Sequence, residues 1–316
     1  MVANDSREKR VGESLSFGEI GLSCQGLNQD RQKTTFFFYT YFAPKKGLFM
    51  KENEMSKTVY YQDALNDEFS GIPPKNFYIP KDYVYIHKNI FYRFVTFIVY
   101  RLIMTPIAFF HNKFALHQKI VNRKALKISR KKGYFVYGNH TQQLGGAYTP
   151  NMVCFPKKVY VVVSPDNLAV KGLKTILEMS GAIPLPSTLE GMGKMMEAME
   201  KRCVQGHVIC IYPEAHIWPY CTEIRPFKSV SFKYPARFGA PVYAFTDTYK
   251  KRRFGSKPRI VTFVDGPFYA DPKLSLNEQA QSLRDQVYNA MVSRAKKEST
   301  YTIINYVKRE EGKVHD

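Results

Sequence analysis

Beyond residue 132 the chain alternates short runs of β-forming apolar residues with stretches of helical spacing, and this alternation restricts the fold more than any other feature. Six strands are predicted, at 134–137, 159–163, 182–185, 208–212, 241–246 and 259–264. Several are continuously apolar, as a strand covered on both faces must be. Between them Leu189, Met192, Met195, Met196, Met199 and Cys203 recur at helical spacing, and the methionine stripe reads as core packing. Leu276, Ala280, Leu283, Val287, Ala290 and Met291 do the same behind a Ser275/Glu278 capping box. The expected fold is α/β, with a mixed, mostly parallel sheet flanked by helices. In such a sheet, function gathers at the C-terminal strand ends and the loops that follow.

The 316 residues are 44% hydrophobic, enough for a sizeable core. A formal net charge of +20 calls for a polyanionic surface or an anionic substrate. With 23 Phe and 22 Tyr in so basic a chain, a membrane interface suits the composition as well as a core does. Cys24, Cys154, Cys203, Cys210 and Cys221 lack the dense spacing of a disulfide scaffold, which implies reduced thiols in a cytoplasmic setting. The opening MVANDSREKR has no apolar core of signal-peptide type, so export is not expected.

Three regions are predicted. Residues 1–54 read as a poorly ordered extension with one aromatic cluster at 36–42, and Met55 is a candidate start. Residues 55–132 read as a membrane-docking helical region, and residues 133–310 as the α/β domain. The docking region holds the most apolar stretch, IFYRFVTFIVYRLIMTPIAFF at 90–110, about the roughly 20 residues that a span needs. Arg93, Arg101 and Pro106 interrupt it, and an arginine at mid-span costs about 2.5–3.5 kcal/mol. A helix or helix pair lying in the interface is the expectation, with a membrane span as the alternative. Residues 111–132 follow with eight Lys or Arg and no acid, which an anionic leaflet attracts at about 1 kcal/mol per side chain.

Two strand ends deliver titratable side chains to loops. The run ending at Tyr137 leads to Gly138, Asn139 and His140, and the run ending at Tyr212 leads to Pro213, Glu214 and His216. A rigid strand end followed by an accessible loop can hold a base in fixed geometry against a substrate.

These residues resemble ordered motifs of the glycerol-phosphate and lysophospholipid acyltransferase family. Asn139-His140 is similar to the start of NHxxxxD, and Gly181-Ala182-Ile183-Pro184 to the second block. Tyr212-Pro213-Glu214-Ala215 resembles FPEGTR, and Gly239-Ala240-Pro241-Val242-Tyr243-Ala244 the fourth block. All four occur in the family's order over about residues 130 to 250, behind a membrane-docking segment.

The resemblance implies a glycerolipid acyltransferase-like fold, and transfer of a fatty acyl chain from an acyl thioester or acyl phosphate to a lysophospholipid or related hydroxyl. His140 would be the general base, and Glu214 would position the acceptor's polar head. Substrate-binding candidates are Asn139, Gly145, Gly146, Pro213, His216, Arg225 and Lys228, with backbone N–H groups near Gly145 and Gly146 as oxyanion donors. No cofactor and no metal is implied. The acyl donor, on coenzyme A, acyl-carrier protein or acyl phosphate, is a co-substrate. The partners are membrane lipids, and the location is the cytoplasmic face of the membrane.

The departures bear on the chemistry. Gly145 stands where the family has the aspartate that orients the imidazole, so Glu214 or Asp247 would have to take that role. Removing such a carboxylate from another hydrolase costs about 10⁴ in turnover. His216 and Ile217 stand where the family has Thr and Arg, which leaves Arg225 and Lys228 for an acceptor phosphate. The principal alternative is an acyltransferase-fold protein that binds lipid or membrane without turnover. A nucleic-acid partner is supported only by charge, as in KKRRFGSKPR at 250–259, and is set aside. A zinc site from His207, Cys210, His216 and Cys221 is also set aside, because His207 and Cys210 point to opposite faces of one strand.

Overall fold

Strand residues alternate between faces, so a run apolar at every position needs cover on both sides. The computed structural model describes residues 57–71, 75–142, 145–169, 172–255 and 257–309. These lie within one compact unit, Phe49–Asp316, and the expected extension at 1–54 falls outside the described residues, as does Met55. In chain order the elements are β1 (Lys57–Tyr61), α1 (Ile90–Ala115), β2 (Lys119–Val121), β3 (Tyr134–Gly138), α2 (Gly145–Cys154) and β4 (Val159–Val163). There follow α3 (Lys174–Met179), β5 (Ala182–Pro184), α4 (Leu189–Val204), β6 (Val208–Ile211) and α5 (Lys233–Phe238). The last are β7 (Val242–Lys250), β8 (Arg259–Phe268), α6 (Leu276–Glu298) and β9 (Ile304–Lys308).

Seven strands form a mixed, mostly parallel sheet in the order β2-β8-β7-β3-β6-β4-β5, with β7 and β8 the antiparallel pair. The alternation has its physical counterpart in two cores. Phe135 and Tyr137 of β3, Ile209 and Ile211 of β6, and Val242 and Ala244 of β7 pack on one face with α4 and α6. Their neighbours Tyr134, Val136, Val208, Cys210, Tyr243 and Phe245 pack on the other. Met195 and Met199 are fully buried in the first core, and Ser275 with Glu278 forms the capping box of α6.

The stretch 55–132 is not purely a helical appendage. It contributes β1, which pairs with β9, and β2, which extends the main sheet beside β8. The expected boundary at 132 therefore cuts through the sheet, because three short, half-exposed residues of β2 carry too little pattern to signal a strand.

Helix α1 begins where the Asn89 side chain accepts the amides of Phe91 and Tyr92, and it runs on through Arg101 and Pro106. The expected interruption at Pro106 is absent. A π-helical turn, Val99–Met104, precedes it, and both the amide and the hydroxyl of Thr105 donate to the Tyr100 carbonyl. Among the described residues this is the one helix long and apolar enough to cross a membrane, and only 11% of its apolar window is buried. Tyr100, Ala108 and Asn112 form its buried side, while Phe91, Phe94, Phe97, Leu102, Ile103 and Phe110 are exposed.

Candidate active site

At the C-terminal end of β3 the main chain is fixed from three directions. A side chain on Gly138 would fall 2.0 Å from the Phe245 ring, so glycine alone lets β3 lie against β7 there. Asn139 then continues the ladder with its side chain: Nδ2 donates to the Asp247 carbonyl at 3.0 Å, and Oδ1 accepts the Asp247 amide at 2.8 Å. The His140 amide donates to Glu214 Oε2 at 3.0 Å, and its carbonyl accepts the Trp218 amide at 3.1 Å.

Glu214 holds the loop after β6 in turn. Its carboxylate accepts the Arg225 amide and the Arg225 guanidinium, both at 3.1 Å, with both side chains sealed from solvent. Burial raises the Glu214 pKa, while Arg225 and the amides of His140 and Arg225 oppose that rise. The Arg225 guanidinium also donates to the His216 carbonyl and lies 4.8 Å over Trp218.

The His140 ring stacks on Tyr212, with centroids 4.3 Å apart and planes 18° apart. Tyr212 donates its hydroxyl to the Gly146 carbonyl at 2.6 Å, which ties β6 to the first turn of α2. His140 is half-buried, and its Nδ1 is turned inward without a hydrogen-bond partner among the described residues. Burial, reinforced by the nearby Arg225 charge, pushes the imidazole pKa down to about 4. Near neutral pH the ring is therefore uncharged and able to accept a proton.

His140 and Glu214 thus meet, but through the histidine's main chain. Glu214 is spent on internal donors and does not face an acceptor head group, a correction with a plain cause: a sealed carboxylate takes the nearest N–H groups. Asn139 and Arg225 are corrected in the same way. The first is 2% exposed and satisfied by Asp247, and the second is 3% exposed and bound to Glu214. Asp247 does not orient the imidazole either. It accepts from Thr262, and burial raises its pKa to about 6.

His216 bonds Glu68 through Nδ1 at 3.1 Å, Pro213 is half-buried, and Lys228 is exposed. A side chain on Gly145 would run into Gln142 and Leu116, whereas one on Gly146 would stand 3.3 Å from His140 Nδ1. Position 146, not 145, faces the ring, and it has room for little more than hydrogen. The Gly146 amide donates to the Gln142 carbonyl at 3.1 Å and is already engaged as a donor.

Sequence reasoning missed Tyr212 and the brace behind the loop, where the Tyr249 hydroxyl bonds Thr141 and Gln142, each at 2.7 Å. The one available signal for Tyr212 was an aromatic residue at a strand end directly before Pro213. Helix α1 reaches this site through α2: the His111 ring lies 5.2 Å from Tyr148, and Leu116 abuts Gly145.

Residues 119–246 match the family model Acyltransferase. Among solved structures the chain is similar to the 1-acyl-sn-glycerophosphate (LPA) acyltransferase PlsC from Thermotoga maritima. The identity is 14% and the TM-score 0.47, over 67% of this chain and 89% of that one. No curated protein matches the sequence.

Proposed function

We propose, for a chain whose residues 119–246 match the family model Acyltransferase, an enzyme that moves a fatty acyl chain from an acyl thioester or acyl phosphate to a lysophospholipid or related hydroxyl at the membrane surface. The observation that carries this reading is the placement of the His140 imidazole, fixed at the end of β3, stacked on Tyr212 and joined through α2 to an exposed apolar helix. The acceptor's O–H gives its proton to the imidazole as its oxygen attacks the acyl carbonyl. The resulting tetrahedral intermediate collapses, and the leaving thiolate or phosphate takes the proton from the imidazolium. Helix α1 lies in the interface and brings the lipid acceptor to the site. The reading places the protein on the cytoplasmic face of the membrane.

Without a carboxylate at Nδ1 the imidazolium formed during attack is less stabilised, so turnover is slow compared with an enzyme that has one. Membranes containing the wild type or His140→Ala, given radiolabelled acyl donor and lysophospholipid, test the role. Product is expected to fall by about 10²–10⁴-fold in the variant, and equal product from both would remove His140 from the chemistry. In the wild type the acid limb of kcat/KM is expected near pH 4, well below the ordinary histidine value of about 6.5. The bare Nδ1 also favours a second reading, lipid binding without turnover. Vesicle binding by a wild type that makes no labelled product from any donor class would select it.

A further inference from the structure

The opposite end of the sheet gathers basic side chains that, among the described residues, meet neutral acceptors and rings but no carboxylate. Lys157 and Lys158 precede β4, His207 precedes β6, Arg202 lies in the last turn of α4, and α1 adds Arg101. The Lys158 ammonium sits 4.7 Å from the Tyr100 ring centroid and 5.0 Å from that of Tyr160, and the Arg202 guanidinium lies 4.8 Å from Tyr160. Lys157 donates to the carbonyls of Lys132 and Gly206, and Lys158 to that of Met179. Among the described residues no carboxylate lies within 4 Å of these four cations or of the His207 ring.

Burial and mutual repulsion both disfavour the charged forms. Burial first, then Arg202 and Arg101, pushes Lys158 down to about 7, and burial with Arg202, Lys158, Lys157 and Arg101 pushes His207 down to about 4. Half-buried like charges are held together at a cost that a bound anion removes. Directly beside them, on α1, Phe94, Phe97, Leu102 and Ile103 are exposed to solvent. An anion that fits here comes attached to something apolar.

We propose that Arg101, Lys157, Lys158, Arg202 and His207 form a site for the phosphate of an anionic membrane lipid, which seats α1 on the bilayer surface. The site rests on the interfacial reading of α1 and adds to it the kind of lipid that is read. The phosphate oxygens accept from the Lys158 ammonium and the Arg202 guanidinium, while the acyl chains lie along the apolar side of α1.

Flotation of the full chain with phosphatidylcholine vesicles, and with vesicles that also contain phosphatidylglycerol, tests this. The wild type is expected to favour the anionic vesicles, and Lys158→Met with Arg202→Gln to lose about 25-fold of that binding, roughly fivefold per cation. Lys296→Gln with Lys297→Gln removes the same charge from the exposed end of α6 and is expected to lose far less. Equal losses from the two pairs would mean diffuse attraction and overturn the site. So would unchanged binding by the first pair, or heat protection of the wild type by inorganic phosphate alone. Should Lys158→Met fail to fold, Arg202→Gln alone carries the test, with about a fivefold loss. A wild type that binds both vesicle types equally sinks this inference while leaving α1 as the docking element; one that binds neither sinks the interfacial reading too.

Discussion

Where β3 and β6 end, a buried arginine meets a buried carboxylate, and each of the two carboxylate oxygens also accepts an amide. Where β4 and β6 begin, two lysines, two arginines and a histidine gather with carbonyls and aromatic rings but, among the described residues, no acid within 4 Å. The first arrangement is closed and holds a loop in place, so its charged residues are structural although they flank the proposed base. The second is open and needs a partner from outside. Charge by itself marks neither function nor architecture; what decides is whether the group's partners lie within the chain.

The sharpest way to break this contrast is Glu214→Ala, which leaves Arg225 charged and sealed. A loss of about 3–5 kcal/mol in denaturant unfolding is expected. A loss below about 1 kcal/mol would show that the pair does not hold the loop. Asn139→Ala comes next: the Asp247 amide and carbonyl lose their partners inside the protein, at about 1–3 kcal/mol. Full stability with lost activity would return Asn139 to the substrate-binding role first expected of it.

The smallest effect is a pH dependence at the open end. His207 and His140 titrate near 4 in the folded chain and near 6.5 when unfolded, so the unfolded state takes up protons first as pH falls. The share of stability that these two histidines contribute is complete above about pH 6.5 and declines toward pH 4. In melting curves recorded against pH, His207→Gln should flatten part of that decline. Parallel curves for variant and wild type would mean that His207 is not held uncharged by the cluster.

The central strands were legible because β3, β6 and the opening VYAF of β7 are runs of apolar and aromatic residues, a pattern that few other elements produce. Strands β1, β2 and β9 were not, since KTVYY, KIV and INYVK mix charge with apolar residues and pair across long stretches of chain. Helix α2 was hidden behind two glycines and an internal Pro150. At the candidate site, two polar strand ends in one sheet were enough to bring residues 140 and 214 together. Their division of labour was not readable. A sequence shows that a glutamate follows a strand, not whether amides 74 and 11 positions away will claim its oxygens.

The pairing of β1 with β9 reaches further than the edge it makes. Tyr306 of β9 stacks on Trp218, its hydroxyl donates to the Pro219 carbonyl, and the Trp218 amide holds the His140 carbonyl. Tyr61 of β1 lies against the same indole. The two tails of the described fold therefore brace the proposed base from behind, like a clasp fastened on one tryptophan. Opening this clasp removes the support behind the His140 carbonyl, on the side of the residue away from its ring.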